Sequence, residues 1–157
     1  MSWYTNSVFY QVYLRAFRDG DGNGHGDFLG LREKADYLQW LGVDCVWLMP
    51  TYPSPLKDDG YDIASFYGIH NDYGLLEDFR MTVQELHRRG IKLIADLVVN
   101  HTSDQHPWFV DARRSKDSAF RNYYVWNDNP DKFPETRIIF LDTEESNWAY
   151  DERTEQY

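Results

Sequence analysis

The sequence predicts an α/β fold: about three βα units forming the N-terminal portion of a (β/α)8 barrel, then the start of an inserted subdomain after the third strand. Three observations predict it. Short apolar runs alternate with amphipathic helices in the order β-α-β-α-β. The α-to-β connections are very short. The β-to-α connections are long and carry the polar motifs. Alternation of this kind implies a parallel sheet with right-handed crossovers. Continuous apolar strands suit a sheet covered on both faces. The loop asymmetry is that of a barrel, whose working groups gather at the C-terminal ends of the strands. A doubly wound sheet shows a similar asymmetry, but no G-x-G-x-x-G follows the first strand.

Residues 7–17, SVFYQVYLRAF, are rich in aromatic and β-branched side chains and predict the first strand. The loop DGDGNGHGD, 19–27, follows. In DFLGLREKADYLQWLG, Leu31, Ala35, Leu38 and Leu41 recur at helical spacing, and Gly42 is a natural stop. VDCVWL, 43–48, predicts the second strand. A long loop runs from Met49 to about Gly74, with Pro50, Pro53 and Pro55 near its start. Leu76, Phe79, Val83 and Leu86 mark the next helix, ended by Gly90. IKLIADLVV, 91–99, predicts the third strand. Residues 1–100 then form the barrel units, and 101–157 an incomplete subdomain in the third β-α loop. In that subdomain RIIFLD, 137–142, predicts a strand and FVDARRS a short helix.

Composition narrows the function. The 157 residues are 42% hydrophobic, which is a globular composition. The net charge is −10, and no basic patch offers a nucleic-acid-binding face. No apolar run reaches the about 18 residues a membrane span needs. The single Cys45 has no partner for an internal disulfide; its strand context predicts a buried thiol in a reducing compartment. With no recognisable secretion signal in the first residues, a cytoplasmic location is expected. Six Trp and twelve Tyr beside many acids suit stacking on sugar rings, and equally an aromatic-rich core.

Four motifs carry chemistry. Asp96 interrupts the third apolar run, where an ionised acid is costly unless paired. Asn100 and His101 follow at the strand's end, where barrels place working groups. In the first β-α loop, Asp19, Asp21, Asn23 and Asp27 alternate as oxygen donors around Gly24. Such a ring suits a hard cation, with His25 offering its backbone carbonyl. The loop is EF-hand-like only, because Gly30 stands where a bidentate Glu would be needed; a solvated Gly/Asp turn is the plainer alternative. In the second loop, Asp58 and Tyr61 place a hydroxyl acceptor beside a stacking face, although DDG also reads as a simple β-turn. His106-Pro107-Trp108-Phe109 and Trp148 are candidates for a pocket lining or for the subdomain's own core.

Taken together, these motifs resemble the α-amylase family, glycoside hydrolase family 13. Asp96-Leu-Val-Val-Asn100-His101 is similar to the family signature at the end of strand 3, and Gly60-Tyr61-Asp62 to the one after strand 2. DGDGNGHGDF looks like the metal loop of two of its branches, one isomerising maltose to trehalose and one hydrolysing short α-1,6- or α-1,4-glucosides. The resemblance implies roles. His101 would hydrogen-bond the hydroxyls of the reacting glucose, Tyr61 would stack on it, and Asp58 would bind its far hydroxyls. Asp96 would be structural, paired with an Arg from a fourth strand. Asp19, Asp21, Asn23, His25 and Asp27 would hold Ca2+, with Mg2+ the other candidate, and Asn100 would serve a second Ca2+ site. TRIIFLDTEESNW and LGVDCVWLMPTYPSPL favour the maltose–trehalose branch.

The family's reaction needs two carboxylates about 5 Å apart, one the nucleophile and one the acid/base. The resemblance places them after later strands, so no catalytic residue is expected within this chain; Asp142, Glu144, Glu145 and Asp151 match none of those positions. The 157 residues alone are expected to be inactive and prone to association through an unpaired sheet edge. From a different class, a non-catalytic calcium- or sugar-binding module remains the competing reading. The expected partner in either case is a small saccharide, not nucleic acid or membrane.

Overall fold

The computed structural model describes residues 2–138 and 142–157. The chain forms two compact units, Met1–Ser103 and Asp104–Tyr157. The first is a three-stranded parallel sheet of order β1-β2-β3, made of Phe9–Val12, Cys45–Leu48 and Lys92–Ala95. Phe9 pairs with Cys45 and Cys45 with Lys92, so the three strands run in step. The helices α1 (Phe28–Glu33), α2 (Ala35–Trp40) and α3 (Leu76–Arg88) connect them.

The core is built by the predicted faces. Leu31, Ala35 and Leu38 from the first helical stretch and Leu86 from α3 are fully buried against Val46 and Leu48 of β2. The leucine and valine side chains each contribute about 1.5–3 kcal/mol on burial, and the Ala35 methyl less. Phe28 meets Phe79 edge to face at 5.4 Å, joining α1 to α3. Cys45 is buried and free, and that burial pushes its thiol above the usual pKa.

Three elements differ from the sequence expectation. The first strand stops at Val12, and the chain turns through a 3-10 segment, Leu14–Ala16, that buries Leu14. The helical stretch after Gly26 breaks at Lys34, whose backbone (φ −93°, ψ 6°) leaves the helical region. The third strand ends at Ala95, so Asp96 lies just past it and is half-buried, not enclosed in a sheet interior. Its N–H still makes the last ladder bond, 3.2 Å to the Leu48 carbonyl. Leu97 and Val99 are 71% and 78% exposed, so this apolar run has no second neighbour to pair with among the described residues.

The second unit is largely irregular. Its helix α4, Pro107–Ala112, has Pro107 at its first position and His106 as N-cap. A 3-10 turn follows at Arg121–Tyr123. Arg121 is buried, lies 3.4 Å over the Trp126 ring and donates to the Ala112 carbonyl. Of the strand expected at 137–142, residues 139–141 lie outside the described residues, and Arg137, Ile138 and Asp142 are not in a strand. Among the described residues no helix is long and apolar enough to cross a membrane.

Candidate functional site

The first β-α loop is organised by its own carboxylates. Asp27 caps α1, accepting from Gly30 N–H at 2.6 Å, and its other oxygen accepts from Gly20 and Asp21 N–H. Asp19 accepts from Gly22 and Gly24 N–H, which hold its carboxyl below the usual pKa. Asp21 accepts from Asn23, and Asn23 Oδ1 from His25 N–H. The loop folds back tightly on the turn before it: Gly26 N–H donates to the Arg15 carbonyl at 2.7 Å, and a Cβ at Gly26 would lie 2.0 Å from the Leu14 carbonyl oxygen.

Asp19, Asp21 and Asp27 bring one oxygen each to within 4.8 Å of one another. Three carboxylates so close repel one another, and each oxygen that accepts an N–H keeps a further lone pair. The donor set is all hard oxygen. It fits Ca2+ or Mg2+ and does not fit a soft metal. Asn100 is not joined to this loop by any hydrogen bond among the described residues; its amide donates to His101 Nδ1 at 3.1 Å.

In the second β-α loop, Asp58-Asp59-Gly60-Tyr61 is a tight turn. Tyr61 N–H donates to the Asp58 carbonyl at 2.9 Å, and both central residues have positive φ, 48° at Asp59 and 101° at Gly60. The turn sets Asp58 and Tyr61 at its two ends. Tyr61 O–H donates to Asp96 Oδ2 at 2.7 Å, and Trp47 Nε1–H from β2 donates to Asp96 Oδ1 at 2.6 Å. Burial and this carboxylate push the Tyr61 hydroxyl up to about 12. His101 joins the same turn, with Nε2 3.1 Å from the Tyr61 carbonyl. Because Nδ1 accepts from Asn100, Nε2 carries the proton and donates.

Asp58 makes no side-chain hydrogen bond among the described residues. Burial raises its pKa, the charges of Asp62 and Asp59 add to the rise, and His101 opposes it. Asp62 goes the other way. Burial would raise it, but Ser54 Oγ–H at 2.7 Å and Lys57 N–H at 2.9 Å outweigh that and lower its pKa. Of the two acids, Asp62 is spent on holding the loop and Asp58 is free to accept from a ligand. Thus Asp58, Tyr61, His101 and Asp96 are brought together in the first unit, while Asp19, Asp21, Asn23, His25 and Asp27 form a separate cluster.

The second unit has its own cavity of about 500 Å³, lined by Phe109, Trp126, Phe133, Trp148, Tyr150 and Tyr157 among others. Asp151 in its wall pairs with Arg113. Trp108 instead packs against His106, Phe120 and Tyr123.

A parallel β-α-β-α-β sheet, with Asp58, Tyr61 and His101 gathered at the ends of its second and third strands, matches one family over residues 11–157: alpha amylase, catalytic domain. The chain belongs to this family. Its fold is the N-terminal part of that family's (β/α)8 barrel. It is 51% identical over 156 residues to the trehalose synthase/amylase TreS of Mycolicibacterium smegmatis, covering 99% of this chain and 26% of that protein. It is 47% identical to the oligo-1,6-glucosidase of Parageobacillus thermoglucosidasius, covering 99% of this chain and 27% of that one. A solved structure of a variant of trehalulose synthase MutB, in complex with the substrate sucrose, matches at a TM-score of 0.91 and 46% identity over all of this chain and 28% of that one. The chain spans about a quarter of the length of these relatives.

Trp47 was not singled out from the sequence. Its signal was an indole in the middle of an otherwise aliphatic strand, which needs a partner for its N–H when half-buried. Arg15 and Asp72 carry no such signal.

Proposed function

We propose that the complete protein is a retaining α-glucosyl enzyme that isomerises maltose to trehalose. Asp58, Tyr61 and His101 form one wall of the pocket for the non-reducing glucosyl unit. The observation that carries this reading is their convergence on one turn: a free carboxylate at one end, an aromatic face at the other, and an imidazole fixed against the turn's own carbonyl. A carboxylate accepts the hydroxyls of a sugar, an aromatic face stacks on its C–H face, and His101 orients both. Identity of 50–51% to trehalose synthases against 46–47% to oligo-1,6-glucosidases supports the isomerase branch.

In this mechanism a carboxylate attacks the anomeric carbon while a general acid protonates the departing glucose. That glucose then turns within the closed pocket, and its anomeric hydroxyl attacks the glucosyl-enzyme and releases the nucleophile. Water must be kept out, since it would hydrolyse the intermediate. Neither catalytic carboxylate is assigned to this chain. Its own contribution is binding and orientation of the glucosyl unit. The first β-α loop is proposed to hold Ca2+ or Mg2+ through Asp19, Asp21, Asn23, His25 and Asp27, which makes it a structural cation. Asn100 is proposed for a second Ca2+ site. Residues 101–157 are proposed as part of a subdomain inserted after the third strand, and the protein as cytoplasmic.

The test is to incubate the complete protein with maltose and separate trehalose, maltose and glucose by chromatography. Trehalose as the main product supports the isomerase. Glucose alone moves the protein to the hydrolytic branch, which the 47% identity to the oligo-1,6-glucosidase favours as the second reading. Sugar binding without turnover would support a binding module instead.

A further inference from the structure

The first two β-α loops are not independent. Arg15 lies in the 3-10 turn after β1, and its guanidinium faces both loops. Nη1–H donates to Asp72 Oδ2 at 2.8 Å, and Nη2–H lies 3.2 Å from His25 Nε2. Asn23 Nδ2–H donates to the Asp72 carbonyl at 3.3 Å. Two residues of the cation loop, Asn23 and His25, therefore reach one point, Asp72 with its partner Arg15. Asp72 is in turn built into the second loop. Its N–H donates to His70 Nδ1 at 3.2 Å, and His70 N–H donates to the Thr51 carbonyl at 2.8 Å. Next to it, Tyr73 is a fully buried core residue. Two residues before Arg15 in the chain, Tyr13 O–H donates to Asp59 Oδ1 at 3.1 Å, within the turn that sets Asp58 and Tyr61.

We propose that Asp72 is a positioning residue that couples the cation loop to the sugar-facing turn, through the Arg15–Asp72 pair. Filling the first loop with a divalent cation fixes Asn23 and His25. Through them and Arg15 it restrains the second loop, so that Asp58 and Tyr61 are held in one arrangement before sugar arrives. The inference rests on the reading of residues 19–27 as a cation loop. It adds that the cation's effect is felt outside that loop, and by which side chain.

The experiment is amide hydrogen exchange on the complete protein, with and without Ca2+, for wild type, Asp72→Asn and Arg15→Gln. Asp72→Asn keeps the backbone carbonyl and the side-chain volume and removes the charge that holds Arg15. In wild type, Ca2+ is expected to slow exchange in residues 19–27 and also, by about tenfold, in 51–74. In both variants the slowing is expected to persist in 19–27 and to vanish in 51–74. Slowing confined to 19–27 in wild type, or slowing in 51–74 that survives both substitutions, overturns the coupling and leaves the cation loop intact. No slowing anywhere overturns the cation loop and the coupling with it. A variant that does not fold loses protection in the sheet as well. Arg15→Lys, which keeps a positive charge beside Asp72, should then restore the wild-type pattern; if it folds and does not, the coupling is refuted.

Discussion

Replacing Tyr61 by Phe removes one hydroxyl and leaves the ring. That hydroxyl donates at 2.7 Å to a carboxylate whose other oxygen holds Trp47 at 2.6 Å. A hydrogen bond to a charged acceptor contributes about 1.5–3 kcal/mol net. Asp96 is half-buried and keeps its indole partner, so the carboxylate is not stranded, and the cost falls at the lower end, about 1.5 kcal/mol. Trp47→Phe should cost at least as much, since it also removes packing from β2. The double variant leaves Asp96 with neither donor, and its cost should exceed the sum of the two by more than about 0.5 kcal/mol. Urea unfolding followed by far-ultraviolet circular dichroism measures all three. The pH profile adds a second check. The folded state raises the Tyr61 hydroxyl to about 12 from its usual value of 10, so folding favours the protonated form. That stability is complete below about pH 10 and is lost as pH rises towards 12. The wild type should therefore lose more stability than Tyr61→Phe across this window. A change below about 0.5 kcal/mol, with parallel alkaline profiles, would refute the role given to Asp96 as the anchor of Tyr61.

Three further outcomes are expected. Gly60→Ala forces a side chain into a φ of 101° with its Cβ 3.0 Å from the Pro50 carbonyl oxygen, which should cost about 1–3 kcal/mol on thermal unfolding and weaken sugar binding through Asp58 and Tyr61. Asp27→Ala should destabilise the protein by about 1–2 kcal/mol even in chelator, because the cap on α1 is lost, whereas Asp21→Ala should lower only the melting temperature gained with Ca2+. His106 caps α4 through Nδ1, accepting from Trp108 N–H at 3.2 Å, and burial lowers its pKa below 6.5. Folding thus favours the neutral ring. Its contribution is complete above the unfolded value and is lost as pH falls below it, so acid unfolding near pH 6 should be less steep in His106→Asn, followed by the quenching of α4 amide protection.

The fold class and the family were legible because the strong signals are local. The period of Leu31, Ala35 and Leu38, the apolar run VDCVWL and the order of motifs need no knowledge of distant contacts. Element ends were less legible, for reasons visible in particular residues. Leu97, Val98 and Val99 have the composition of a strand, but a strand exists only where a neighbour supplies hydrogen bonds, and β3 has β2 on one side alone. Likewise the acid at Asp96 announced a partner without saying which. Its donors, Trp47 and Tyr61, lie 49 and 35 residues away in sequence. Arg15 and Asp72, 57 residues apart, are an unremarked pair until the two loops are folded side by side.

The indole of Trp47 gives the protein an optical gauge of its own. Its N–H points at the carboxylate that also holds Tyr61, so a ligand that shifts the Tyr61 ring alters the field at the indole. Emission from Trp47, isolated by replacing every other tryptophan of the complete protein with Phe, should change wavelength as sugar fills the proposed pocket, and so report occupancy with no label attached.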